Sequence, residues 1–358
     1  KVMAIGGSVC LLTGSNLNKE LEDSAISILK KKKISHYKCK FSQGFQNPIT
    51  ELIGLFQLIR ALRKFNPTTI HSATAKANLM SLIACQFLGK TKLILSISGM
   101  GTLFTGKVKM RKLILQKLYK LIFNVLLKGV RFNLIFQNKD DLNYVYNLNK
   151  FDLNNSYLIK GSGVDLSIFN YRKMQKKKKL NFLFASRLLV DKGIKEFLFA
   201  SNKILDDGYN ATFTIIGDID KLNPSFINLK LIKSWINNNK FYYGFQKNII
   251  KFIEYSDVVV LPSYREGFPK LLIEASAIGR PILATNVPGC KECVIINTNG
   301  FLVKPRNKLS LYEGMKKIFS NFDNLEKMSL ESRKIAENNY SIEKVNKKHL
   351  EIYKSFFS

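Results

Sequence analysis

The sequence predicts an α/β protein with two Rossmann-like, doubly wound parallel-sheet domains, and two observations carry this prediction. Short apolar runs rich in Val, Ile and Leu alternate with longer amphipathic segments along the chain, as in parallel strands joined by crossover helices. The chain has 358 residues, which is too many for one small core and fits two domains. Ligands of open α/β sheets bind beyond the carboxyl ends of the strands, so functional side chains are expected there.

The first part of the chain alternates strands and helices up to residue 160. We predict strands at 8–13, 35–41, 68–71, 93–98, 133–136 and 157–160, and helices at 18–33, 50–64, 77–88 and 139–147. The helix at 50–64 has the clearest amphipathic pattern. Its broad apolar face comprises Leu52, Ile53, Leu55, Phe56, Leu58, Ile59 and Leu62.

A second alternating series begins at Leu180, after a basic, polar stretch at 173–179 that is typical of a linker. We predict strands at 181–186, 211–216, 258–261, 281–285 and 300–303, and a strand and turn at 241–245. We predict helices at 194–205, 223–235, 248–255, 269–278, 308–320, 323–337 and 341–357. The domain boundary is expected between about Gly163 and Lys179.

The composition is that of a globular protein, with 46% hydrophobic and 23% charged residues, but the charge is strongly unbalanced. The formal net charge of +31 favours a polyanionic partner, which could be nucleic acid, an anionic membrane or a phosphorylated substrate. A general bias toward lysine is the alternative. The five cysteines are scattered and include one isolated C-x-x-C pair, and there are only three histidines. We therefore expect a reducing compartment, no disulfide framework and no metal site.

The segment Lys107–Arg131 is basic and apolar and contains no acidic residue. A basic amphipathic helix of this kind can lie in a membrane interface. The alternative is a helix of the domain whose apolar side packs on the sheet and whose lysines are solvated.

The stretch from Asp257 to Gly289 contains two carboxylates that point to a ligand site. Glu266 lies on the loop after a buried strand, and Glu274 lies in the helix that follows. Carboxylates accept hydrogen bonds from hydroxyl groups, as in ribose or a sugar ring, while the helix start beside Gly267 suits phosphate. These features together indicate a nucleotide-sugar site. The alternative is an ordinary strand–helix unit with two surface glutamates.

Two cations lie at the end of another predicted strand. Arg187 and Lys192 follow the strand at 181–186, and both suit phosphate binding. No G-x-G-x-x-G sequence follows a strand, and no Walker A sequence is present. A dinucleotide-dependent oxidoreductase and a P-loop NTPase are therefore poorly supported.

These motifs resemble those of glycosyltransferase family 4, retaining enzymes with the GT-B fold. The resemblance is carried by ASRLLVDKGIKEFLFA at 185–200, IIGD at 215–218, VLPSYREGFPKLLIEASAIGRPILATNVPGC at 260–290, NGFLV at 299–303 and SGVDLSIF at 162–169. The segments at 70–84 and 96–104 resemble the subgroup that builds O-antigen and other lipid-linked glycans from UDP-sugars. The resemblance implies two domains facing across a cleft, with a C-terminal helix crossing back to the first.

The resemblance implies a role for each matching residue. Arg187 and Lys192 would bind the donor diphosphate, Glu266 would bind sugar hydroxyls, and Glu274 would hold the ribose. Arg187, Lys192 and Glu266 are the expected catalytic residues. The remaining expected donor-binding residues are Gly217, Tyr243, Gly244, Gly267, Phe268, Pro269 and Leu271.

On the acceptor side the expected residues are His71, Lys76, Ser98 and Gly99. A satisfied histidine at a strand end is the alternative for His71. The expected domains are an acceptor domain at 1–165, a donor domain at 166–340 and a crossover helix at 341–358. The family's usual first strand and glycine-rich loop are not found, so the chain is expected to start at the end of the family's first helix.

The expected function is transfer of a hexose or N-acetylhexosamine from a UDP-sugar to a glycan on undecaprenyl diphosphate, without a metal or other cofactor. The enzyme would lie on the inner face of the bacterial plasma membrane, held there by Lys107–Arg131, and no nucleic-acid partner is expected. Three alternatives remain: another GT-B enzyme such as a UDP-N-acetylglucosamine epimerase, a basic nucleic-acid-binding protein, and an inactive scaffold.

Overall fold

A computed structural model describes residues 2–3, 6–14, 19–41, 47–89, 91–99, 121–122, 124–149, 153–175, 179–220 and 223–355 of the chain. It divides into two compact units. Unit 1 comprises 1–136, 144–157 and 348–358, and unit 2 comprises 137–143 and 158–347. The division is therefore not a single break in the chain, since a short stretch before residue 144 belongs to unit 2 and the last residues belong to unit 1.

Unit 1 contains two groups of strands. Its elements are β1 (Cys10–Thr13), α1 (Lys19–Lys31), β2 (Ser35–Lys38), α2 (Pro48–Phe65), β3 (Thr69–Ala73), α3 (Ala75–Cys85), β4 (Lys92–Ile97) and β5 (Phe132–Phe136). Strands β1 and β2 pair in parallel, and β3, β4 and β5 form a second parallel set that β6 (Ser156–Leu158) extends. Leu93, Leu95 and Leu134 are fully buried in this second sheet, so it holds the core of the unit.

Helix α2 has a sequence-encoded start and end. The Asn47 side chain accepts hydrogen bonds from the backbone N–H groups of Ile49 and Thr50 at 2.9 and 3.4 Å, directly before Pro48, and both residue types favour a helix start. The helix ends at Asn66, whose left-handed φ of 49° lets its N–H bond the Leu62 carbonyl at 2.8 Å. The predicted helix at 50–64 is confirmed with slightly wider bounds.

Unit 2 is built on a six-stranded sheet in the order β12-β11-β10-β7-β8-β9, and all neighbouring pairs are parallel. The strands are β7 (Leu180–Ala185), β8 (Ala211–Ile216), β9 (Lys240–Tyr242), β10 (Val258–Leu261), β11 (Ile282–Thr285) and β12 (Gly300–Val303). The helices are α4 (Lys139–Asn149), α5 (Ile194–Asp206), α6 (Leu229–Lys233), α7 (Ile250–Tyr255), α8 (Lys270–Ile278), α9 (Lys308–Ser320), α10 (Leu325–Asn339) and α11 (Ile342–Lys354). Helices α4 and α11 are each divided between the two units.

The two faces of this sheet pack against different clusters. Phe182 and Phe213 belong to one cluster with Ile204 of α5, whereas Leu183 and Val259 belong to the other with helix α8. Alternate strand residues point to opposite faces, and both faces are covered here. This explains why the strands of unit 2 are almost entirely apolar in sequence.

The predicted strands agree with those observed, and one helix differs. In place of the helix predicted at 223–235, only α6 is helical, because Asn223 accepts hydrogen bonds from the Ser225 backbone N–H and hydroxyl and forms a turn around Pro224. The basic segment Lys107–Arg131 lies mostly outside the described residues. Among the residues that are described, no helix combines the length and the apolar character needed to cross a bilayer.

Candidate active site

The order of strands in unit 2 reverses between β7 and β10. These two strands pair with each other, and the chain continues from β7 to β8 on one side and from β10 to β11 on the other. Such a reversal leaves a crevice at the carboxyl ends of the two central strands, where ligands of open α/β sheets bind. Arg187 and Lys192 follow β7, and Glu266 follows β10. The fold thus brings together the loops that carry the predicted charges.

Lys192 and Glu266 form an ion pair at this place. The Lys192 Nζ atom lies 2.5 Å from Glu266 Oε1, and the two side chains are only 21% and 14% exposed. Lys192 closes a short 3-10 turn, Val190–Lys192, and Gly193 follows with a left-handed φ of 75°. A charged hydrogen bond shielded from water is stronger than an exposed one. The pair therefore fixes the loop after β7 to the loop after β10.

Three glycines, which lie after β7, β8 and β11, let the backbones at this edge of the sheet approach closely. A Cβ atom at Gly193 would lie 2.1 Å from the Pro262 carbonyl oxygen, and one at Gly289 would lie 2.5 Å from that of Gly267. At Gly217 the corresponding distance to the Ser186 oxygen is 1.8 Å. No side chain fits at such distances. The loops around the charged pair are thus held by backbone packing as well as by side chains.

Arg187 differs from Lys192 in being open to solvent. Its side chain is 58% exposed, and its Nη1 atom lies 2.8 Å from an Asp220 carboxylate oxygen. An exposed ion pair of this kind is weak. The guanidinium can therefore exchange its present partner for an incoming anion at little cost.

Glu274 is the most buried of the predicted site carboxylates. It is 6% exposed in helix α8, where Lys270 Nζ lies 3.3 Å from Oε1. Burial raises the pKa of the Glu274 carboxyl above its ordinary value of 4.5, and the nearby Lys270 partly offsets this effect. Lys270 offsets the burial of the Glu274 carboxylate only in part. A hydrogen bond from a hydroxyl group, such as a ribose or a sugar would supply, would therefore stabilise this carboxylate further.

Helix α8 begins one residue later than predicted. Pro269 is the N-cap, and no side chain caps the helix. The first-turn N–H groups, beginning with Lys270 and Leu271, therefore form a site that suits an anion. Phe268, beside them, is 8% exposed and lies against Tyr340, with ring centroids 5.5 Å apart. Its packing orients the start of the helix.

The loop after β9 presents aromatic surface. Tyr243 and Phe245 are 50% and 57% exposed, and Gly244 between them has a left-handed φ of 65°. The Tyr243 ring packs on Phe252 with centroids 5.1 Å apart, and the Gly244 carbonyl accepts from the Gly217 N–H at 2.8 Å. This loop is therefore tied to the loop after β8 and offers a face on which a nucleotide base could stack.

The sequence prediction missed a polar network behind the Glu266 loop. Asn138 Nδ2 donates to the Gly267 carbonyl at 2.8 Å, and the fully buried Asp141 carboxylate pairs with Arg265. Asn138 also caps α4, accepting from the Asp141 N–H at 2.8 Å. The signal was present as an Asn followed three residues later by an acid at a helix start, a pattern similar to a capping box. What the pattern does not give is the partner loop more than 120 residues away.

In unit 1, His71 sits in a neutral hydrogen-bonded cluster. Its Nε2 atom lies 2.7 Å from Ser96 Oγ, its Nδ1 atom lies 2.5 Å from the Tyr353 hydroxyl, and the His349 ring centroid is 5.7 Å away. Burial of the ring is the main cause that lowers the pKa of His71 to about 4, and the nearby His349 lowers it further. The imidazole is thus neutral near pH 7 and has partners at both nitrogens.

The other predicted acceptor-side residues follow β3 and β4, the strands that contain His71 and Ser96. Lys76 follows β3 and pairs with Glu51 of α2 at 2.6 Å, with the two side chains 18% and 7% exposed. Ser98 and Gly99 follow β4. Thr74, at the turn into α3, has a φ of 87°, which is strained for a β-branched residue. Strain of this kind concentrates at functional loops.

Cys290 and Cys293 are buried free thiols next to the Glu266 loop. Burial is the main cause that raises the pKa of both, so neither is a reactive thiolate. Within the described part of the chain, no group of three His, Cys, Asp or Glu side chains is placed to hold a metal ion.

Solved structures with the same architecture show which fold the protein has. A glycosyltransferase from Rickettsia africae superimposes over all of this chain and 92% of its own, with a TM-score of 0.77 and 20% identity. HepE from Anabaena, solved in complex with UDP, has a TM-score of 0.75 at 16% identity and covers 96% of this chain and 92% of its own. The protein has the two-domain GT-B fold of glycosyltransferases.

The sequence comparisons give the family. Residues 168–335 match the model of "glycosyl transferases group 1", and residues 21–138 match that of "glycosyl transferase 4-like" proteins. The two matches together span most of the chain, and the protein is a glycosyltransferase of family 4, as its motifs indicate.

Two curated relatives cover most of the chain. One, from Campylobacter jejuni, is N,N′-diacetylbacillosaminyl-diphospho-undecaprenol alpha-1,3-N-acetylgalactosaminyltransferase, 28% identical over 76% of this chain and 73% of its own length. The other, from Escherichia coli, is UDP-Gal:alpha-D-GlcNAc-diphosphoundecaprenol alpha-1,3-galactosyltransferase, 24% identical over 72% of this chain and 67% of its own length.

Proposed function

We propose that this glycosyltransferase moves a hexose or N-acetylhexosamine from a UDP-sugar to a glycan carried on undecaprenyl diphosphate, with retention of the anomeric configuration. The single observation that carries the proposal is the Lys192–Glu266 pair, which places a cation and a hydroxyl acceptor together where β7 and β10 end. The names of the two curated relatives support a lipid-linked acceptor. The UDP bound to HepE supports the nucleotide.

The donor would be held by groups of opposite character. Arg187 and Lys192 would bind the diphosphate, and the uncapped start of α8 would add backbone N–H groups. Glu266 would accept hydrogen bonds from the sugar hydroxyls, and the buried Glu274 would accept from the ribose. Tyr243 and Phe245 would stack on the base.

The chemistry would rest on stabilising the leaving diphosphate. As the bond from the sugar to the β-phosphate breaks, negative charge develops on UDP, and preorganised cations and helix N–H groups lower the barrier. The acceptor hydroxyl would attack the same face of the sugar and pass its proton to the departing diphosphate. No side-chain nucleophile and no metal are assigned to this step.

The acceptor would be recognised by unit 1. The neutral His71 lies within β3, Lys76 lies in the first turn of α3, and Ser98 and Gly99 follow β4. These residues would offer polar partners to the hydroxyl groups of a glycan and to the lipid diphosphate. An acceptor with a polyprenyl chain resides in a membrane, so the enzyme would work at the inner face of the plasma membrane. Lys107–Arg131 would contribute positive charge to this association.

Calorimetry with UDP-, GDP- and ADP-sugars tests the donor assignment. We expect UDP-sugars to bind, Glu274→Ala to weaken binding at least tenfold, and Glu313→Ala to leave it unchanged, because the Glu313 side chain is 61% exposed on α9. Loss of one hydrogen bond to a charged acceptor is of about this size. Binding of none of the three donor classes would contradict the proposal.

A transfer assay tests the acceptor and the stereochemistry. The purified enzyme is given the UDP-sugar that binds and a sugar on polyprenyl diphosphate, with and without EDTA. We expect a product of unchanged anomeric configuration by NMR in both cases. An epimerised nucleotide-sugar formed without acceptor would identify the enzyme as another kind of GT-B protein.

A further inference from the structure

Helix α2 carries a row of large apolar side chains that is exposed to solvent. Ile49, Leu52, Ile53 and Phe56 are 68%, 56%, 42% and 72% exposed. Their spacing of three and four residues places them side by side on one face of the helix. Single exposed apolar residues are normal, whereas a contiguous group marks a contact surface.

The same face continues as positive charge. Arg60, Arg63 and Lys64 are exposed in the last turns of α2 and lie in line with the apolar row. At 100° per residue, all seven positions fall within an arc of about 120°. We call this surface, Ile49 to Phe56 together with Arg60 to Lys64, the α2 face.

The opposite side of the helix already has its packing partners. Leu58, Ala61 and Leu62 are buried, and the one acidic residue of α2, Glu51, is buried there in its pair with Lys76. The broad apolar face predicted from the sequence is therefore two surfaces. One packs in the core of unit 1, and the α2 face is not needed for it.

We propose that the α2 face docks on the surface of an anionic lipid bilayer. Apolar side chains beside cations, with no acid among them, are the pattern of helices that lie in the membrane interface. A second copy of this chain would bring its own three cations against the first three, which disfavours self-association. An anionic membrane complements both parts of the α2 face, because its hydrocarbon region accepts the apolar row and its charged head groups pair with the cations.

Docking through α2 is separate from donor binding, because the α2 face lies in unit 1 and the donor groups lie in unit 2. It deepens the proposed function by giving the enzyme a structured surface toward the membrane that holds its acceptor. A failure of docking would leave UDP-sugar binding intact, and a failure of the proposed function would leave docking intact. The two results are thus distinguishable.

Vesicle sedimentation with the whole 358-residue chain tests the charge and the apolar row separately. On vesicles containing phosphatidylglycerol, the triple variant Arg60→Gln/Arg63→Gln/Lys64→Gln is expected to bind on the order of a hundredfold more weakly. The variant Leu52→Gln/Phe56→Gln should also bind at least tenfold more weakly. Matched controls in unit 2, Lys230→Gln/Lys233→Gln and Ile295→Gln/Ile296→Gln, change exposed residues and should bind as the unsubstituted protein does.

If both α2 variants sediment with the vesicles as well as the controls do, the α2 face does not dock, whatever the basic segment at 107–131 contributes. Equal binding to vesicles of neutral phosphatidylcholine would exclude the anionic specificity. Loss of a dimer in the Leu52→Gln/Phe56→Gln variant, without any change on lipid, would identify a second copy as the occupant.

A fluorescent residue on the α2 face reports insertion directly. The chain has one tryptophan, Trp235, which is buried and gives a constant background. In Phe56→Trp, anionic vesicles should shift the added emission to the blue, and brominated lipid should quench it. Tyr255→Trp, at a 69% exposed position in unit 2, should show neither effect. Absence of both effects in Phe56→Trp would contradict insertion.

Discussion

Each unit of this enzyme contains a shielded lysine–glutamate pair, and the two pairs differ in what surrounds them. Lys192–Glu266 joins the loops after two adjacent parallel strands, between glycines that allow direct backbone contact. Lys76–Glu51 joins the first turns of two helices, with the Lys76 ammonium 5.5 Å from the Phe41 ring. The first pair lies at a sheet crevice, whereas the second braces helices that cover a sheet.

The difference shows that an ion pair alone does not reveal function. Shielded pairs are costly to form and are a poor sign of stability. At Lys192–Glu266, the neighbouring uncapped helix start and the exposed Arg187 add further groups for an anion. At Lys76–Glu51 the described neighbours are the Phe41 ring and the strained turn at Thr74, two residues before Lys76. We therefore expect the two pairs to respond differently to substitution.

The largest effect is expected from the pair in unit 2. Lys192→Ala should lower kcat for sugar transfer by about 10²–10³-fold, because one preorganised group that stabilises a developing charge contributes about that much. Glu266→Gln should lower kcat/KM as well, since it loses a charged hydrogen-bond acceptor. Steady-state kinetics of UDP release measure both. An unchanged kcat in Lys192→Ala would show that the Lys192–Glu266 pair contributes no more to catalysis than the pair in unit 1 does.

The pair in unit 1 is expected to act mainly on stability. Glu51→Gln should lower the free energy of unfolding by about 2–3 kcal/mol, since it removes the carboxylate charge that faces the shielded Lys76 ammonium. The double variant Glu51→Leu/Lys76→Met should recover most of this loss in urea titrations. UDP-sugar affinity should be unchanged in both. If the stable double variant has also lost transfer to the acceptor, Lys76 contributes to acceptor binding as well.

The backbone contacts around Lys192–Glu266 can be tested at one glycine. Gly289→Ala should lower the free energy of unfolding by about 2–3 kcal/mol, because its φ of 80° is left-handed and its Cβ would meet the Gly267 oxygen at 2.5 Å. Gly208→Ala has the same φ with nothing within 4 Å, so it should lose only about 1 kcal/mol. Equal losses in chemical denaturation would contradict the proposed close contact.

A smaller, pH-dependent effect is expected at Glu274. Its folded-state pKa is raised, so the stability it contributes is complete below about pH 4.5 and is lost as pH rises through the folded value. Glu274→Gln, which stays neutral, should therefore have a higher Tm than the unsubstituted enzyme at pH 8 and a similar Tm near pH 4. Calorimetric scans across this range measure the difference. If the Tm gain of Glu274→Gln instead grew toward low pH, a raised pKa of Glu274 in the folded state would be contradicted.

The smallest effect concerns His71, whose lowered pKa has the opposite stability dependence. Its contribution is complete above the ordinary value of 6.5 and is lost as pH falls toward about 4. The ring carbon-bound proton signals of His71 should thus stay constant from pH 7 to 5.5, whereas those of the urea-unfolded chain should titrate near 6.5. Titration of the folded-state signal near 6.5 would show that the neutral cluster in unit 1 does not hold the ring uncharged.

The sequence predicts the fold of unit 2 well, and local physics explains why. Runs such as Val258–Leu261 are buried on both faces, and their composition marks them as parallel strands. Arg187, Lys192 and Glu266 lie in loops that follow such strands, where the sequence analysis expects ligand-binding side chains, and their roles stay predictions. The link from Asn138 to the Gly267 carbonyl was not predicted, since it depends on contacts between distant segments. The single apolar face predicted for α2 was wrong as well, because periodicity gives the spacing of apolar residues but not which of them meet the core.

The division of the chain has a practical consequence for anyone who wishes to produce the donor half alone. A gene fragment that encodes 166–340 would omit 137–143, which belongs to unit 2. Without that heptapeptide, the Arg265 guanidinium loses its buried carboxylate and the Gly267 carbonyl loses its amide donor. The nucleotide loop of such a fragment would carry two broken polar contacts. Supplying 137–143 as a synthetic peptide, or grafting it through a short linker, is the way to restore them.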